Sequence, residues 1–405
     1  MKTQGALGGL RVLDLTQMLA GPFCTQLLAD HGADVIKVES PIGDMTRSSG
    51  PFLPDDEQKV FGGYFQSVNR NKRSVVLDLK QEAGRKVFLD LVETADVVVE
   101  NFRCGVMERL GLSYEVLSRI KPGLVYAAVR GFGDDRTGAS PYADWPAFDV
   151  VAQAMGGMMG ITGAEPDQPL KVGPGVGDLV PAVMAAFGVL AAVHSASKTG
   201  QGQFVDVAMT DAVAAICERI IYQYSYRGEV PGPEGNRHPF ICPFGLFSAK
   251  DGKVAIACPT DAFWTTLAQT MGQPELATDP RFATKQARVV NADAVIETVE
   301  AFTRNLSKKE LAGLLGARVP FGPVYTAQDI FEDPHFAARE MLVEVEHPGS
   351  ATPVQIAGVP IKLSGTPGAV KRRAPLLGED TDAVLHEIGY SQEAISGLRD
   401  EGVIH

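Results

Sequence analysis

Cysteine is scarce and unpatterned in this chain. Cys24, Cys104, Cys217, Cys242 and Cys258 are scattered over 405 residues, odd in number and never spaced C-x-x-C, so neither a disulfide framework nor a zinc site organises the fold. A reducing, cytoplasmic setting is expected. Basic charge is in deficit: Lys+Arg 37 against Asp+Glu 49 leaves −12, which disfavours nucleic acid and anionic membrane surfaces as partners. Long apolar runs are missing as well. The best candidate, Leu179 to Val193, contains Pro181 and Gly188 and falls short of the ~20 apolar residues a bilayer requires, so it reads as a buried helix. No apolar stretch of a secretory signal follows Lys2-Thr3-Gln4. The histidines, His31, His194, His238, His335, His347, His386 and His405, nowhere take a metal spacing, and no metal is expected.

Two nucleotide signatures are also missing. There is no G-x-x-x-x-G-K-[ST], and the first βα turn, Thr16-Gln17-Met18-Leu19-Ala20-Gly21-Pro22, lacks the glycine spacing of a dinucleotide fingerprint. An NAD-dependent oxidoreductase becomes a minor alternative.

What is present is an ordinary folded composition, 45% hydrophobic and 21% charged, at a length that favours two domains of about 150 residues or more. Strand-like Leu10 to Leu15, helical Phe23 to His31 and strand-like Asp34 to Glu39 form one βαβ unit. The pattern returns as Arg73 to Leu79, Gln81 to Thr94, Val97 to Glu100, Tyr114 to Ile120 and Leu124 to Val129, which predicts an α/β fold with a mostly parallel sheet. A linker-like stretch rich in Tyr, Gly, Pro and Arg runs from Tyr222 to Asn236. A hairpin over Phe244 to Cys258, turning at Lys250-Asp251-Gly252, then opens a smaller domain with helical patterns up to the boundary Val319 to Val324. Periodicity leaves open whether the last segment completes that domain or returns to the first.

Candidate chemistry concentrates at Gly173-Pro174-Gly175-Val176-Gly177-Asp178, ahead of an Ala-rich helix. An aspartate there serves as a plain N-cap. It serves equally as a nucleophile kept ionised by the helix dipole, with backbone donors beside it for a substrate oxygen. The cationic cluster Asn69-Arg70-Asn71-Lys72-Arg73, whose charges are Arg70, Lys72 and Arg73, together with Lys80, Arg47, Arg109 and Arg130, reads either as a solvated face or, if these cations converge beyond the carboxyl ends of the strands, as a site for a phosphorylated ligand. His238 stands in a polar, glycine-rich segment from which a side chain can reach a neighbouring site.

Several motifs occur together: Leu13-Asp14-Leu15-Thr16, Ala20-Gly21-Pro22, Gly32 to Glu39, Gly43-Asp44-Met45-Thr46-Arg47, Asn69 to Ser74, Glu100-Asn101-Phe102, Gly177-Asp178 and Gly200-Gln201-Gly202. In this order and spacing the chain resembles the class III coenzyme A transferases, a family that includes formyl-CoA, carnitine-CoA and succinyl-CoA-dependent dicarboxylate transferases and the α-methylacyl-CoA racemases. The resemblance implies an interlocked homodimer with a Rossmann-like large domain plus a smaller α+β domain. Residues 1–221 form the N-terminal part of the large domain, 222–325 the small domain with its linkers, and 326–405 return to the large domain. It implies that Asp178 attacks an acyl-CoA thioester, passing through an aspartyl anhydride and an aspartyl-CoA thioester before CoA reaches an acceptor carboxylate. No tightly bound cofactor is implied, coenzyme A arriving as the acyl-CoA substrate.

By the same resemblance, CoA contacts fall on Met18, Leu77, Lys80, Asn101, Phe102 and Arg109, and the acyl site on Leu19, Phe148, Asp149, Asn236 and His238, the last two from the partner chain. Leu19 and Ser40 replace a glutamine and an arginine of the formyl-CoA enzymes. Phe148 stands where the racemases carry a histidine, so a racemase, the rival within the family, would lack one of its two bases. The overall pattern looks most like the branch that uses succinyl-CoA with glutarate-like dicarboxylates.

Overall fold

The structure, a computed structural model, describes residues 5–405. Strands β1 (Arg11–Asp14), β2 (Asp34–Glu39), β3 (Arg73–Val76), β4 (Val97–Glu100), β5 (Val125–Arg130) and β6 (Phe204–Ala208) pair in parallel in the order β3-β2-β1-β4-β5-β6. The strand order reverses between β1 and β4. The crevice beyond the carboxyl ends of those strands is where a doubly wound sheet takes ligands.

Alternation along each strand gives the sheet two unlike faces. Leu13, Ile36, Val38, Val75, Val98 and Tyr126 share the main core with Val87, Phe88 and Leu91 of the helix Glu82–Thr94. Val384, Leu385, Val403 and Ile404 join this core, so the C-terminal segment packs with the parallel sheet.

The opposite face combines buried apolar residues, among them Val12, Val35, Val97 and Val99, with an ionic cluster at β1, β2 and β3. Register sets Asp14 beside Lys37 and Lys37 beside Ser74. Lys72 pairs with Asp14 at 2.9 Å, Lys37 with Asp44 at 3.0 Å, and Arg47 with Glu39 at 2.6 Å, all buried. Burial alone would raise the Asp14 carboxyl, but Lys72 and Lys37 outweigh it and bring it down to about 2. The run Asn69 to Arg73 is therefore neither a solvated face nor a phosphate site. Arg70 holds Asp30 at 2.6 Å and Arg73 holds Asp34 at 2.7 Å, acids supplied by earlier elements that only the parallel packing brings alongside.

The helix Ala20–Asp30 begins ahead of the expected Phe23, because Pro22 lies in its first turn, where a missing N–H removes no helical hydrogen bond. The Ala-rich helix is also longer than expected, Val176–Thr199, and at 24 residues it is long and apolar enough by length and composition to cross a membrane. One face, with Pro181, Ala182, Ala185, Ala186 and Val189, is buried, and the helix packs on Ala20–Asp30 and on β5. The other face exposes Val183, Phe187 and Leu190 at helical spacing, Phe187 to 75%.

The chain divides into two compact units. The first comprises the described chain up to Met158, Val172–Tyr222 and Pro334–His405; the second comprises Met159–Lys171 and Gln223–Asp333. The second is α+β: an antiparallel sheet of β7 (Phe244–Ala249), β8 (Gly252–Ala257) and β9 (Phe321–Pro323) packs with helices Asp261–Thr270, Ala292–Thr303 and Lys308–Leu315 around Trp264, Leu267, Val295, Val299 and Leu311. Two stretches read as irregular are regular: the helix Glu218–Arg227 enters the expected linker, and β9 occupies the expected boundary.

Candidate active site

The loops that leave β1, β4 and β5 enclose, within the first unit, a cavity of about 410 Å³ lined by Gln17 to Ala20, Asn101 to Cys104, Arg109, Arg130, Phe148 and Asp178 among others. The loop after β1 is pinned by reciprocal amide bonds: Gln17 N donates to Asn101 Oδ1 at 2.9 Å, and Asn101 Nδ2 donates to Gln17 O at 2.8 Å. This clamp supports Met18 in the left-handed region, φ 67°, a conformation that a side chain other than glycine adopts only when its surroundings impose it.

Asp178 lies in the first turn of the helix Val176–Thr199, and the N-cap is Gly175, so the plain N-cap reading does not hold. The expected backbone donors are also committed. Val176 N donates to Pro174 O, Gly177 N to Asp149 Oδ1 at 2.8 Å, and both Asp178 N and Leu179 N to Gly175 O. The Asp178 carboxylate has no hydrogen-bond or ion-pair partner among the described residues. Burial, reinforced by the nearby charge of Asp149, pushes it up to about 7. Burial and the Asp149 charge thus oppose the ionisation that a helix N-terminus favours.

Asp149 opens the helix Asp149–Met155, and Gln153 of the same helix donates to both of its oxygens at 2.8 and 3.0 Å. Two glycines allow this approach. A side chain at Gly177 would strike the Asp149 carbonyl at 2.5 Å, and one at Gly175 would meet Leu19 Cδ2 at 2.9 Å.

At the other side of the cavity, Arg130 is neutralised: it bonds Glu100 at 2.5 Å and also Asp134. Arg103 and Arg109 are exposed and carry no ion pair among the described residues. These two cations are available to an anionic ligand. Arg103 escaped the sequence reading, although it directly follows the Glu100-Asn101-Phe102 motif. Tyr64 and Trp145 escaped it too, since a lone aromatic on a helix or loop carries no distinguishing pattern; both line the cavity.

Of the residues singled out from the sequence, Met18, Leu19, Asn101, Phe102, Arg109, Phe148 and Asp178 line this cavity, with Asp149 directly behind Asp178's glycine loop. Leu77 is buried in the core and Lys80 is exposed; both follow β3 at the same sheet edge without lining the cavity. Ser40 lies just past β2 and accepts from Gly43 N at 2.8 Å. Asn236 and His238 line a separate cavity, also of about 410 Å³, in the second unit. Among the described residues no group of three or more His, Cys, Asp or Glu is placed to hold a metal.

The sequence pattern of CoA-transferase family III matches residues 7–381. A succinyl-CoA:mesaconate CoA-transferase from Haloarcula hispanica is 50% identical over 385 residues, covering 95% of this chain and 97% of its own. A succinyl-CoA–D-citramalate CoA-transferase from Chloroflexus aurantiacus is 38% identical over 402 residues, 98% of each chain. The crystal structure of a CAIB/BAIF family protein from Brucella suis superposes with a TM-score of 0.84 at 38% identity, over 95% of this chain and 100% of that one. Likeness of this extent, joined to a parallel sheet with its cavity at the switch point, means that the chain belongs to CoA-transferase family III and is a class III CoA-transferase.

Proposed function

We propose that this enzyme moves CoA from succinyl-CoA to a free dicarboxylate, with Asp178 as the covalent carrier. The reading is carried by one observation: a carboxylate and two guanidinium groups with no partner among the described residues line the same cavity. The cations suit the phosphates of CoA and the carboxylate suits its thioester. Met18, Asn101 and Phe102 line the same cavity, and Leu77 and Lys80 follow the carboxyl end of β3.

The steps balance without metal or redox chemistry. The Asp178 carboxylate attacks the thioester carbonyl and expels CoA thiolate, leaving a mixed anhydride. The thiolate attacks the aspartyl carbonyl and releases succinate. The acceptor carboxylate then attacks the aspartyl-CoA thioester, and the thiolate, returning to the acceptor's acyl carbon, frees Asp178. A racemase would need a second base where Phe148 stands.

Succinyl-CoA as donor and a dicarboxylate as acceptor rest on the named activities of the relatives in Haloarcula and Chloroflexus. With succinyl-CoA as donor, C4 and C5 dicarboxylates are expected to exceed acetate and propionate by at least tenfold in kcat/KM; equal rates across the panel would remove the dicarboxylate assignment.

The enzyme is proposed to act as an interlocked homodimer, with Asn236 and His238 of a second copy completing the acyl site. The bare Val183, Phe187 and Leu190 stripe supports a partner, since an apolar helix face left in water favours association. Sedimentation equilibrium is expected to return twice the chain mass, and a monomer mass at working concentration would sink the dimer. The five unpaired cysteines support a cytoplasmic setting, which fractionation of the native cells would test.

A further inference from the structure

We infer that Gln153 is a positioning residue for the transfer reaction, clamping the glycine loop that presents Asp178; the inference rests on Asp178 being the nucleophile.

Gln153 is completely buried, and both ends of its amide are engaged. Its Nε2 donates to the two Asp149 oxygens, while its Oε1 accepts from Val172 N at 3.0 Å. Asp149 in turn accepts from Gly177 N at 2.8 Å. The segment Val172–Gly177, with its three glycines, is thus tied at both ends to one pair of side chains, Gln153 at its start and Asp149 at its end. The pair is four residues apart on the helix Asp149–Met155 and so shares one face.

No other common side chain of this length does this while the site is at neutral pH. The site needs a donor towards a carboxylate and an acceptor towards an amide, from one planar group of this length. A loop rich in glycine has little stiffness of its own, so the alignment of the Asp178 carboxylate depends on what holds the loop. The titratable groups facing this arrangement are Asp149, Asp178 and Tyr64, the last raised by burial and then by the charges of Asp178, Asp44 and Asp149.

The test uses the full-length enzyme, with succinyl-CoA as probe, in three variants: Gln153→Met, Gln153→Glu and Asp178→Asn. Gln153→Met keeps the length and loses every one of these hydrogen bonds. It is expected to lower kcat at least tenfold with the succinyl-CoA KM within threefold, because binding groups remain and alignment is lost. Gln153→Glu works as the amide does while protonated and repels Asp149 once ionised. Its kcat relative to wild type is therefore expected to approach unity near pH 5.5 and to fall as the pH rises. A purely structural role for Gln153 gives no such pH signature.

A Gln153→Met kcat within twofold of wild type, or a pH-independent deficit in Gln153→Glu, overturns the inference. Where Gln153→Met fails to fold, the pH series of Gln153→Glu decides alone. Asp178→Asn separates the two levels: if it retains transfer, the nucleophile assignment falls and the positioning role with it. If it is inactive while the Gln153 variants behave as wild type, only the positioning role falls.

Discussion

Asp178→Ala and Asp178→Asn are each expected to lower kcat/KM for CoA transfer by at least about 10³-fold, roughly 4 kcal/mol of transition-state stabilisation, with the fold intact. Neither side chain can form the anhydride. Hydroxylamine trapping followed by mass spectrometry should place the modification on Asp178 in the wild type and nowhere in the variants. Transfer within tenfold of wild type in either one would end the covalent mechanism.

The environment of Asp178 adds a pH signature. With its carboxyl pushed up to about 7 by burial and by Asp149, the reactive anion is a minority form in mildly acid solution. Activity in kcat/KM should fall about tenfold per pH unit below that point. Stability moves in the opposite direction. The native state holds its proton more tightly than the unfolded chain, whose carboxyl titrates at 3.8, so native stability declines as the pH rises from about 4 to 7 and stays lowered above. Asp178→Asn carries no such ionisation cost. Its thermal midpoint should therefore match or exceed that of wild type at pH 8, which separates lost catalysis from lost folding.

The second large effect lies beneath the site. Lys72→Met is expected to destabilise the protein by about 3–5 kcal/mol, because it leaves Asp14 buried beside one fewer cation. Lys72 Nζ lies 2.9 Å from Asp14 Oδ2, from Pro22 O and from Asn69 Oδ1, so all three of its donors are used. Thr16 and Thr25 still reach Asp14, but hydroxyl groups do not compensate a buried charge. Asp14→Asn combined with Lys72→Met should recover part of the loss. Urea denaturation at neutral pH measures both. The Asp14 contribution is present above the unfolded carboxyl range and is lost as the pH falls through about 2. If Lys72 instead bound a phosphate, the variant would fold normally and raise the KM for acyl-CoA, and that outcome would refute the structural role.

Much of the scaffold was legible because its signals are local. The strand Asp34–Glu39 and the helix Tyr114–Ile120 have the predicted bounds, since apolar alternation and helical spacing are written within a few residues. Strand β6 and the helix Glu218–Arg227 were missed: one is a short run beside a glycine turn, and the other is rich in tyrosine and arginine. The candidate site divides in the same way. Asp178 stood out through its glycine loop, and Asn101, Phe102 and Arg109 through motif resemblance. Gln153 gave no signal, because a single glutamine inside an apolar helix looks like any polar interruption.

By itself the sequence determined the α/β class, the alternation that makes a parallel sheet and the family, and it singled out Asp178 as the candidate nucleophile. Only the tertiary structure decided the electrostatics. It turned Arg70, Lys72 and Arg73 from available cations into partners of Asp30, Asp14 and Asp34, and left Arg103 and Arg109 at the cavity with no ion pair among the described residues. It also buried Asp178 and set Asp149 near it, so that Asp178 is held nearer to neutral than a helix N-terminus would suggest. Propensity and periodicity act over a few residues, whereas the charge a side chain feels is set by groups many positions away that only packing brings within a few ångströms.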